Sequence, residues 1–413
     1  MKKKSNTALG DLRVLDLSRV LAGPSCTQIL GDMGAQIIKV EKPGTGDDTR
    51  KWGPPYARDK DGNETTESAY YLSANRNKQS IAIDITQKKG QELVKELATH
   101  CDILIENFKT GSLARYGLDY ASLKQSHPHL IYCSITGFGQ TGPLASEPGY
   151  DFLAQAMGGL MAITGAPNGE PMKAGVALSD ILTGLYAATG ILGALHARKS
   201  TGTGKGTGQH IDLSLVDCTM AAMTNIAQYY LTSGALAPRL GNAHSTIVPY
   251  QVFDSTDGHV IIAVGNDTQF ARFAAFLGHE DWADNPDYAT NPARVKNRAA
   301  LVPQIAAIIA TQTTSYWIEA LEDINIPVAP VQDMAAALNH PQSVARNMKI
   351  TMDHAPSGQA VDLVGSPLKL SDTPVSYRRA PPSCGQDTHD VLREILNLDE
   401  ETIARLKAQR IAL

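Results

Sequence analysis

A doubly wound α/β fold, Rossmann-like in its large domain, is what this sequence predicts, on two observations. Strand-like and helix-like segments alternate over the first half of the chain, and the strands are nearly continuous apolar runs rather than alternating ones. Both are signs of a parallel sheet covered on each face. With 413 residues, 43% apolar and 19% charged, the chain can bury a large core and has the length for two domains or more.

In order, "LRVLDLS" (12–18) reads as a strand, "SCTQILGDMGA" (25–35) as a helix ending at Gly34, and "QIIKVEKP" as a second strand, which makes a βαβ unit. The pattern repeats with "SIAIDI" (80–85) as strand, Thr86 as candidate cap, "KKGQELVKELATH" as helix and "CDILIENF" (101–108) as strand. Helix over "SLARYG" and "YASLKQSHP" leads to the strand "HLIYCSITGFG" (129–139). Ligands of such domains gather at the carboxyl ends of the strands. Beyond residue 215 the character changes: one long helix over 216–234, a β-hairpin over 248–265 turning at Asp257 and Gly258, and several helices over 269–323. "INIPVAPVQDM" and the Pro-rich stretch 353–382 read as connections before a last helix near 386–410. The expected organisation is a large α/β domain over 1–215, a linker helix and loop over 216–245, a small α+β domain over 246–335, and a return segment over 336–413 whose helix joins the large domain.

The net charge of −5 and a pI near 6.1 give no general attraction to nucleic acid, so an anionic ligand must be met by local basic residues. Five widely spaced cysteines, none at metal-ligand or redox spacing, read as reduced, mostly buried and cytoplasmic, with no metal site. The "MKKK" start has no apolar segment behind it, so it reads as a solvated tail and not a signal peptide. Residues 181–197 are uncharged, but 17 residues with two Thr, three Gly and a His read as a buried helix and not a membrane span. "TGTGKGTG" (201–208) follows a helix and does not match a phosphate-binding loop; it reads as a flexible turn into the strand "QHIDLSL". "SRVLAGPSC" lacks the three-glycine dinucleotide fingerprint, which disfavours NAD and FAD.

"KAGVALSDILTGLYAATGILGAL" (173–195) places a single carboxylate, Asp180, at the start of an apolar run. Two readings stand side by side. Asp is among the best helix N-caps, and a carboxylate can also attack an acyl group and hold it covalently.

"RVLDLSRVLAGPSCTQILGDMGAQIIKVEKPGTGDDTR", "NRNKQSIAIDI", "DILIENFKTGSLARYGLDY", "ITGFGQTGP", "GYDFLAQAMGGLMAITG" and "GVALSDILTGLYA" together resemble the class III (formyl-CoA transferase type) CoA-transferases. The likeness continues through "INIPVAPV" and "GQDTHDVL", so it covers nearly the whole chain. "GNAHSTIVPYQVF" (241–253) looks most like the branch containing succinate–hydroxymethylglutarate and acetyl-CoA–oxalate CoA-transferases.

The resemblance implies that Asp180 is the nucleophile. It would attack a donor acyl-CoA to give a mixed anhydride, take the returning thiolate to form an aspartyl-CoA thioester, and pass coenzyme A to an acceptor acid, here a small dicarboxylate. It places coenzyme A against Leu21 and Ala22, the segment Ile83, Asp84, Ile85 and Thr86, then Asn107 and Phe108, and the loop Thr136, Gly137, Phe138 and Gly139. Leu21 departs from the Gln that some members carry before the Ala. Charge and position add Lys42, Arg76, Lys78, Lys109 and Arg115 as a basic island for the phosphates, and the resemblance favours Lys42 and Arg115. Tyr150 and His244 are the expected substrate contacts. Acyl-CoA is expected as a substrate, with no tightly bound cofactor, and the partners are the carboxylic acid and a second copy of the chain, an intertwined homodimer being a family trait. Neither nucleic acid nor membrane is an expected partner.

The positive end of the helix dipole is expected to keep Asp180 ionised. The helix behind it is expected to be buried all round, with Gly184, Gly190 and Gly193 admitting neighbouring backbone. Backbone N–H groups of "TGFGQTG" are candidate oxyanion donors. Two other readings remain open. An α-methylacyl-CoA racemase works with two bases, but members of that branch carry His in "GHD" where this chain has Tyr150 before Asp151, and a phenol is a poor base at neutral pH. A CoA-binding protein without turnover is the other.

Overall fold

The computed structural model describes residues 7–200 and 206–413, so the "MKKK" start and residues 201–205 of "TGTGKGTG" lie outside the described residues. In chain order the first strands are β1 (Arg13–Asp16), β2 (Gln36–Glu41), a small antiparallel hairpin of β3 (Tyr56–Arg58) and β4 (Glu64–Ser68), then β5 (Lys78–Ala82), β6 (Ile103–Glu106), β7 (Ile131–Thr136) and β8 (His210–Ser214). Six of them form one parallel sheet in the order β5-β2-β1-β6-β7-β8. Counted along the chain that is 3-2-1-4-5-6, and the order reverses between β1 and β6, which is where such sheets open a crevice at their carboxyl edge.

Both faces of the sheet are covered. Val14, Ile37, Ile103 and Ile131 pack with the helix Ala22–Asp32 and with Ala187, Ile191 and Leu195 of the helix Leu178–Ser200. Their neighbours Leu15, Ile38, Ile81 and Leu104 face the other way, onto the helix Lys88–Thr99 and onto Val391, Leu392, Ile403 and Leu406 near the C-terminus. Strands buried on both sides explain the lack of polar alternation. The chain's end docks on β5: Leu413 N donates to Ala82 O at 3.0 Å, and Ala82 N donates to Thr388 Oγ1 at 2.9 Å.

The chain divides into two compact units, the first comprising residues 1–160, 174–224 and 342–413 and the second 161–173 and 225–341. The second unit has an antiparallel sheet of β9 (Tyr250–Asp254), β10 (His259–Ala263) and β11 (Val328–Pro330) around a core that includes Phe270, Phe273, Trp282 and Trp317.

Several local expectations change. The first helix begins at Ala22, three residues early, because Pro24 falls in its first turn, where the missing N–H costs nothing. Thr86 does not cap; its hydroxyl donates to Asp84, and Gln87 holds the N-cap position. "SLARYG" makes one 3-10 turn and "YASLKQSHP" a single α turn. The long helix over 216–234 is two, Leu215–Ala222 and Thr224–Ser233, with Thr224 at φ +35°. The 353–382 stretch holds part of a hairpin, β12 (Lys349–His354) with β13 (Gln359–Val364), and the last helix is two, Thr388–Glu394 and Glu400–Ala408.

The helix Leu178–Ser200 has, over Leu178–Arg198, the length and composition to cross a membrane, and half of that stretch is buried in the fold. It is not enclosed all round: Leu185, Tyr186 and Leu192 are exposed. Of its glycines only Gly184 meets a close neighbour, since a Cβ there would lie 2.7 Å from Ala22 O; Gly190 has ordinary contacts and Gly193 none.

Beneath the crevice lies a buried ion-pair network that the apolar reading of the strands overlooked. Lys39 Nζ donates to Asp47 Oδ2 at 2.8 Å and to Ser18 O at 2.9 Å, with both charged side chains wholly buried. Lys78 Nζ sits 3.3 Å from Asp16, and Arg50 bridges Glu41 and Glu67. Burial raises the Asp47 carboxyl, but Lys39 and the Thr49 donors outweigh it and hold it at about 2. Lys39→Met is therefore expected to lower unfolding stability in urea by ~3–5 kcal/mol, because it strands a buried carboxylate, and adding Asp47→Leu is expected to restore much of the loss.

Candidate active site

The crevice between β1 and β6 carries two cavities. The larger, about 490 Å³, is lined by Lys42, Ile83, Asp84, Ile85, Thr86, Phe108 and Arg115 among others. The smaller, about 220 Å³, is lined by Leu21, Ala22, Asn107, Phe108, Lys109, Thr136, Gly137, Tyr150 and Asp180. Arg19 and Phe108 line both, so the two adjoin. Residues far apart in sequence thus meet around these two cavities. Phe138 and Gly139 line neither cavity, and Tyr150 is 68% exposed at the rim of the smaller one. His244 lies in the second unit, where Thr246 N donates to its Nδ1 and its ring packs on Tyr250. Arg76 and Lys78 are interior residues, paired with Asp32 and Asp16, because the chain folds them beneath the sheet edge rather than onto its rim.

The βα loop that begins the site is held from below. Val20, a β-branched residue, sits at φ +70°, a strained conformation. Its N–H donates to the Asp47 carboxylate at 3.2 Å, the same carboxylate that Lys39 neutralises. Arg19 N donates to Asn107 Oδ1 at 2.8 Å and Asn107 Nδ2 returns a bond to Arg19 O at 2.7 Å, which ties this loop to the one after β6.

Asp180 is not the N-cap. The helix begins at Leu178, so Asp180 lies in its first turn, and the capping carboxylate comes from Asp151: Ser179 N donates to Asp151 Oδ1 at 2.8 Å and Asp180 N at 3.3 Å. Gln155, fully buried, donates to Asp151 Oδ2 at 2.7 Å and accepts from Ala174 N at 2.8 Å, which fixes the segment leading into the helix. Asp151 is in turn placed by two glycines: a Cβ on Gly137 would lie 2.4 Å from Gly149 Cα, so the β7 loop and the segment before Asp151 touch through bare backbone.

The electrostatic expectation for Asp180 reverses. The residue is 9% exposed, and burial, followed by the charge of Asp151, pushes its carboxyl up to about 7. A rise of that size corresponds to roughly 4 kcal/mol, whereas a helix dipole supplies ~0.3–1 kcal/mol in the opposite sense. Near neutral pH the group is therefore shared between its protonated and ionised forms. Tyr70, which sequence reasoning missed, is half-buried, packs edge-on against Trp52, and is pushed up to about 12 by burial and then by the charges of Asp180, Asp151 and Asp47. Its only sequence signal was an aromatic beside a helix start. The candidate oxyanion loop is partly committed elsewhere: Gly139 N donates to Thr136 Oγ1 and Gln140 N to Asp212. Among the described residues, no histidine lines the Asp180 cavity, so the paired bases of a racemase are not assembled there.

Residues 9–388 match the model of CoA-transferase family III. The succinate–glutarate CoA-transferase of Agrobacterium fabrum is 46% identical over 96% of this chain and 96% of its own length. The human succinyl-CoA:glutarate CoA-transferase is 42% identical over 96% of this chain and 88% of its own. A crystal structure of a CAIB/BAIF family protein from Brucella suis superposes with a TM-score of 0.84 at 43% identity, covering 95% of this chain and all of that one. The chain therefore belongs to CoA-transferase family III and is an enzyme of that class.

Proposed function

We propose that this enzyme moves coenzyme A from an acyl-CoA donor to a small dicarboxylic acid through covalent intermediates on Asp180. The observation that carries the reading is a buried carboxyl near neutral pKa in the wall of the smaller of two adjoining cavities. The larger cavity, with Lys42 and Arg115 at its wall, suits the nucleotide end of coenzyme A, and the thioester then reaches Asp180 past Phe108. The ionised Asp180 oxygen attacks the thioester carbon, the C–S bond breaks, and coenzyme A leaves as thiolate with an aspartyl anhydride formed. The thiolate attacks the aspartyl carbonyl, which releases the donor acid and leaves an aspartyl-CoA thioester; the acceptor carboxylate reverses both steps. An anhydride demands exclusion of water, which a buried carboxyl in a small cavity favours. Tyr150, at the rim, is assigned to the substrate. The names of the relatives support a dicarboxylate, with succinate and glutarate the first to test.

The working form is proposed to be an intertwined homodimer in the cytoplasm. Support for the dimer comes from the apolar side chains left exposed on and beside the central helix, Phe152, Leu153, Leu185, Tyr186, Leu192 and Met220. Light scattering is expected to return twice the 44.2 kDa chain mass.

Asp180→Asn is expected to abolish exchange of label between succinyl-CoA and glutarate, with no acyl or CoA adduct at residue 180 by mass spectrometry of quenched protein. The same variant separates chemistry from folding. A carboxyl whose folded pKa is raised releases its proton more readily when unfolded, so it destabilises the native state progressively as pH climbs from its ordinary value of 3.8 to about 7 and fully above that. Asp180→Asn is thus expected to raise the melting temperature at pH 8 while leaving it nearly unchanged at pH 4.

Because only the ionised form attacks, kcat/KM for acyl-CoA is expected to rise with pH with a midpoint near 7. Asp151→Asn keeps an acceptor for the helix N–H groups but removes the neighbouring charge, and the midpoint measured in that variant is expected to move to lower pH.

A further inference from the structure

Strand β5 is the last of the six-stranded sheet, so one of its sides faces no strand of that sheet. Such an edge leaves a row of backbone N–H and C=O groups that need partners. On β5 the return segment supplies them one after another. Ser80 N donates to Asp387 Oδ2 at 2.9 Å, and Ser80 O accepts from Asp387 N at 2.8 Å. Ala82 N donates to Thr388 Oγ1 at 2.9 Å, Ala82 O accepts from Leu413 N at 3.0 Å, and Asp84 N donates to Ile411 O at 2.8 Å. Ile83 and Ala412 thereby form an antiparallel bridge, and the Thr388 hydroxyl that accepts from Ala82 donates to Leu413 O at 2.6 Å.

This edging holds more than the sheet. Past Ala82 the same stretch runs on as Ile83, Asp84, Ile85 and Thr86, all four in the wall of the cavity of about 490 Å³. On its inner side Ile83 N donates to Glu41 O at 3.0 Å, from the strand that leads to Lys42. The return segment grips that strand as well: Gly385 N donates to Ser80 Oγ, Ser80 Oγ donates to Glu41 Oε1, and Cys384 Sγ donates to Lys42 O at 3.8 Å. Ile411 and Ala412 are buried in the same apolar cluster as Ile81 and Ile83. None of residues 411–413 lines either cavity of the crevice, so whatever they do there they do through the wall.

We propose that residues 411–413 and Thr388 are positioning residues for coenzyme A: they add a short strand to the wall of the larger cavity and so set the affinity for the nucleotide end of the coenzyme without touching it. This inference rests on the reading that places the nucleotide in that cavity. A wall bonded along both sides is ordered before the ligand arrives, so less of the binding free energy goes into ordering it. Without the added strand, residues 83–86 keep the bond to Glu41 and the bonds of the Asp84 carboxylate to Thr86 and Gln87, and the ligand has to supply the rest of the order. Coupling of this kind is reciprocal, so bound CoA in turn holds residues 411–413 in place.

The test compares wild type with Leu413→Pro, which removes the N–H that Ala82 receives, with Thr388→Val, and with Leu413→Ala, which keeps the N–H. Calorimetry gives the Kd of free CoA, and exchange assays give kcat/KM for succinyl-CoA and for succinyl-pantetheine, a thioester without the nucleotide. The expected result is a tenfold or greater loss in both CoA affinity and kcat/KM for succinyl-CoA in Leu413→Pro and Thr388→Val. Leu413→Ala is expected to restore wild-type values, and succinyl-pantetheine to be turned over equally by all four proteins. Equal loss for both thioesters overturns the inference, because general damage to the fold does not distinguish them; unchanged CoA affinity in both variants overturns it too. In the wild type, amide hydrogen exchange in peptides spanning 78–86 and 404–413 is expected to slow at least fivefold when CoA is added. Exchange in the second peptide that ignores CoA overturns the inference whether or not the variants fold. A wild type that binds CoA but passes it to no acid sinks the transferase reading alone, since the CoA affinities and exchange rates still decide this one; a wild type that does not bind CoA sinks both.

Discussion

The two N–H groups that the Leu178–Ser200 helix offers to the Asp151 carboxylate are the interaction on which the site depends. They set where the helix starts, and by occupying the cap with another residue they release Asp180 from that duty. They also bring a second negative charge to within reach of Asp180, which adds to burial in making it a stronger base than an ordinary aspartate. A capping carboxylate with three N–H donors and a neighbouring carboxylate with little solvent thus stand in different environments, and burial with the charge of Asp151 makes the second more basic than an ordinary aspartate.

The charges beneath the first βα loop serve a different purpose. A chain placing Val20 in a left-handed conformation in the wall of the Asp180 cavity needs something to hold it there. Asp47 does so while accepting from Thr49 and from the buried Lys39 ammonium. Removing such charges from water is expensive, and their mutual attraction offsets that only when each lone pair and proton is satisfied. Here the Asp47 carboxylate accepts from Val20 N, Thr49 N, Thr49 Oγ1 and Lys39 Nζ, which ties the loop to the buried charge.

The periodic elements of the sheet were legible because strands buried on both faces have only one way to look: β1, β2, β6 and β7 fall within the segments that their apolar runs marked out, while β5 overlaps its run only at 80–82, having started at Lys78. The strand order follows from no local signal, but it is what turns residues near 20, 107, 136 and 150 into neighbours. Asp180 stood out as a lone carboxylate before an apolar run. Its basicity did not, since that depends on Asp151, twenty-nine positions away, and on a burial that no window of sequence contains. Arg76 and Lys78 misled for the opposite reason: a basic residue near a strand looks like a ligand contact, yet both are consumed by aspartates that the fold delivers from elsewhere. The break that divides the C-terminal helix in two and the hairpin over 349–364 were not legible, the hairpin lying in a polar, Pro-rich composition whose pairing is set by tertiary contact.

Gly137 and Gly149 meet backbone to backbone, with no side chain on either to cushion the contact. Neither position is free to drift alone, because a methyl group on one has nowhere to go unless the other strand of the crossing retreats, and the retreating strand carries Asp151. The pair therefore behaves as a single heritable unit: a lineage that lost one glycine would have to rebuild the approach of the two segments before any other change could be tolerated there.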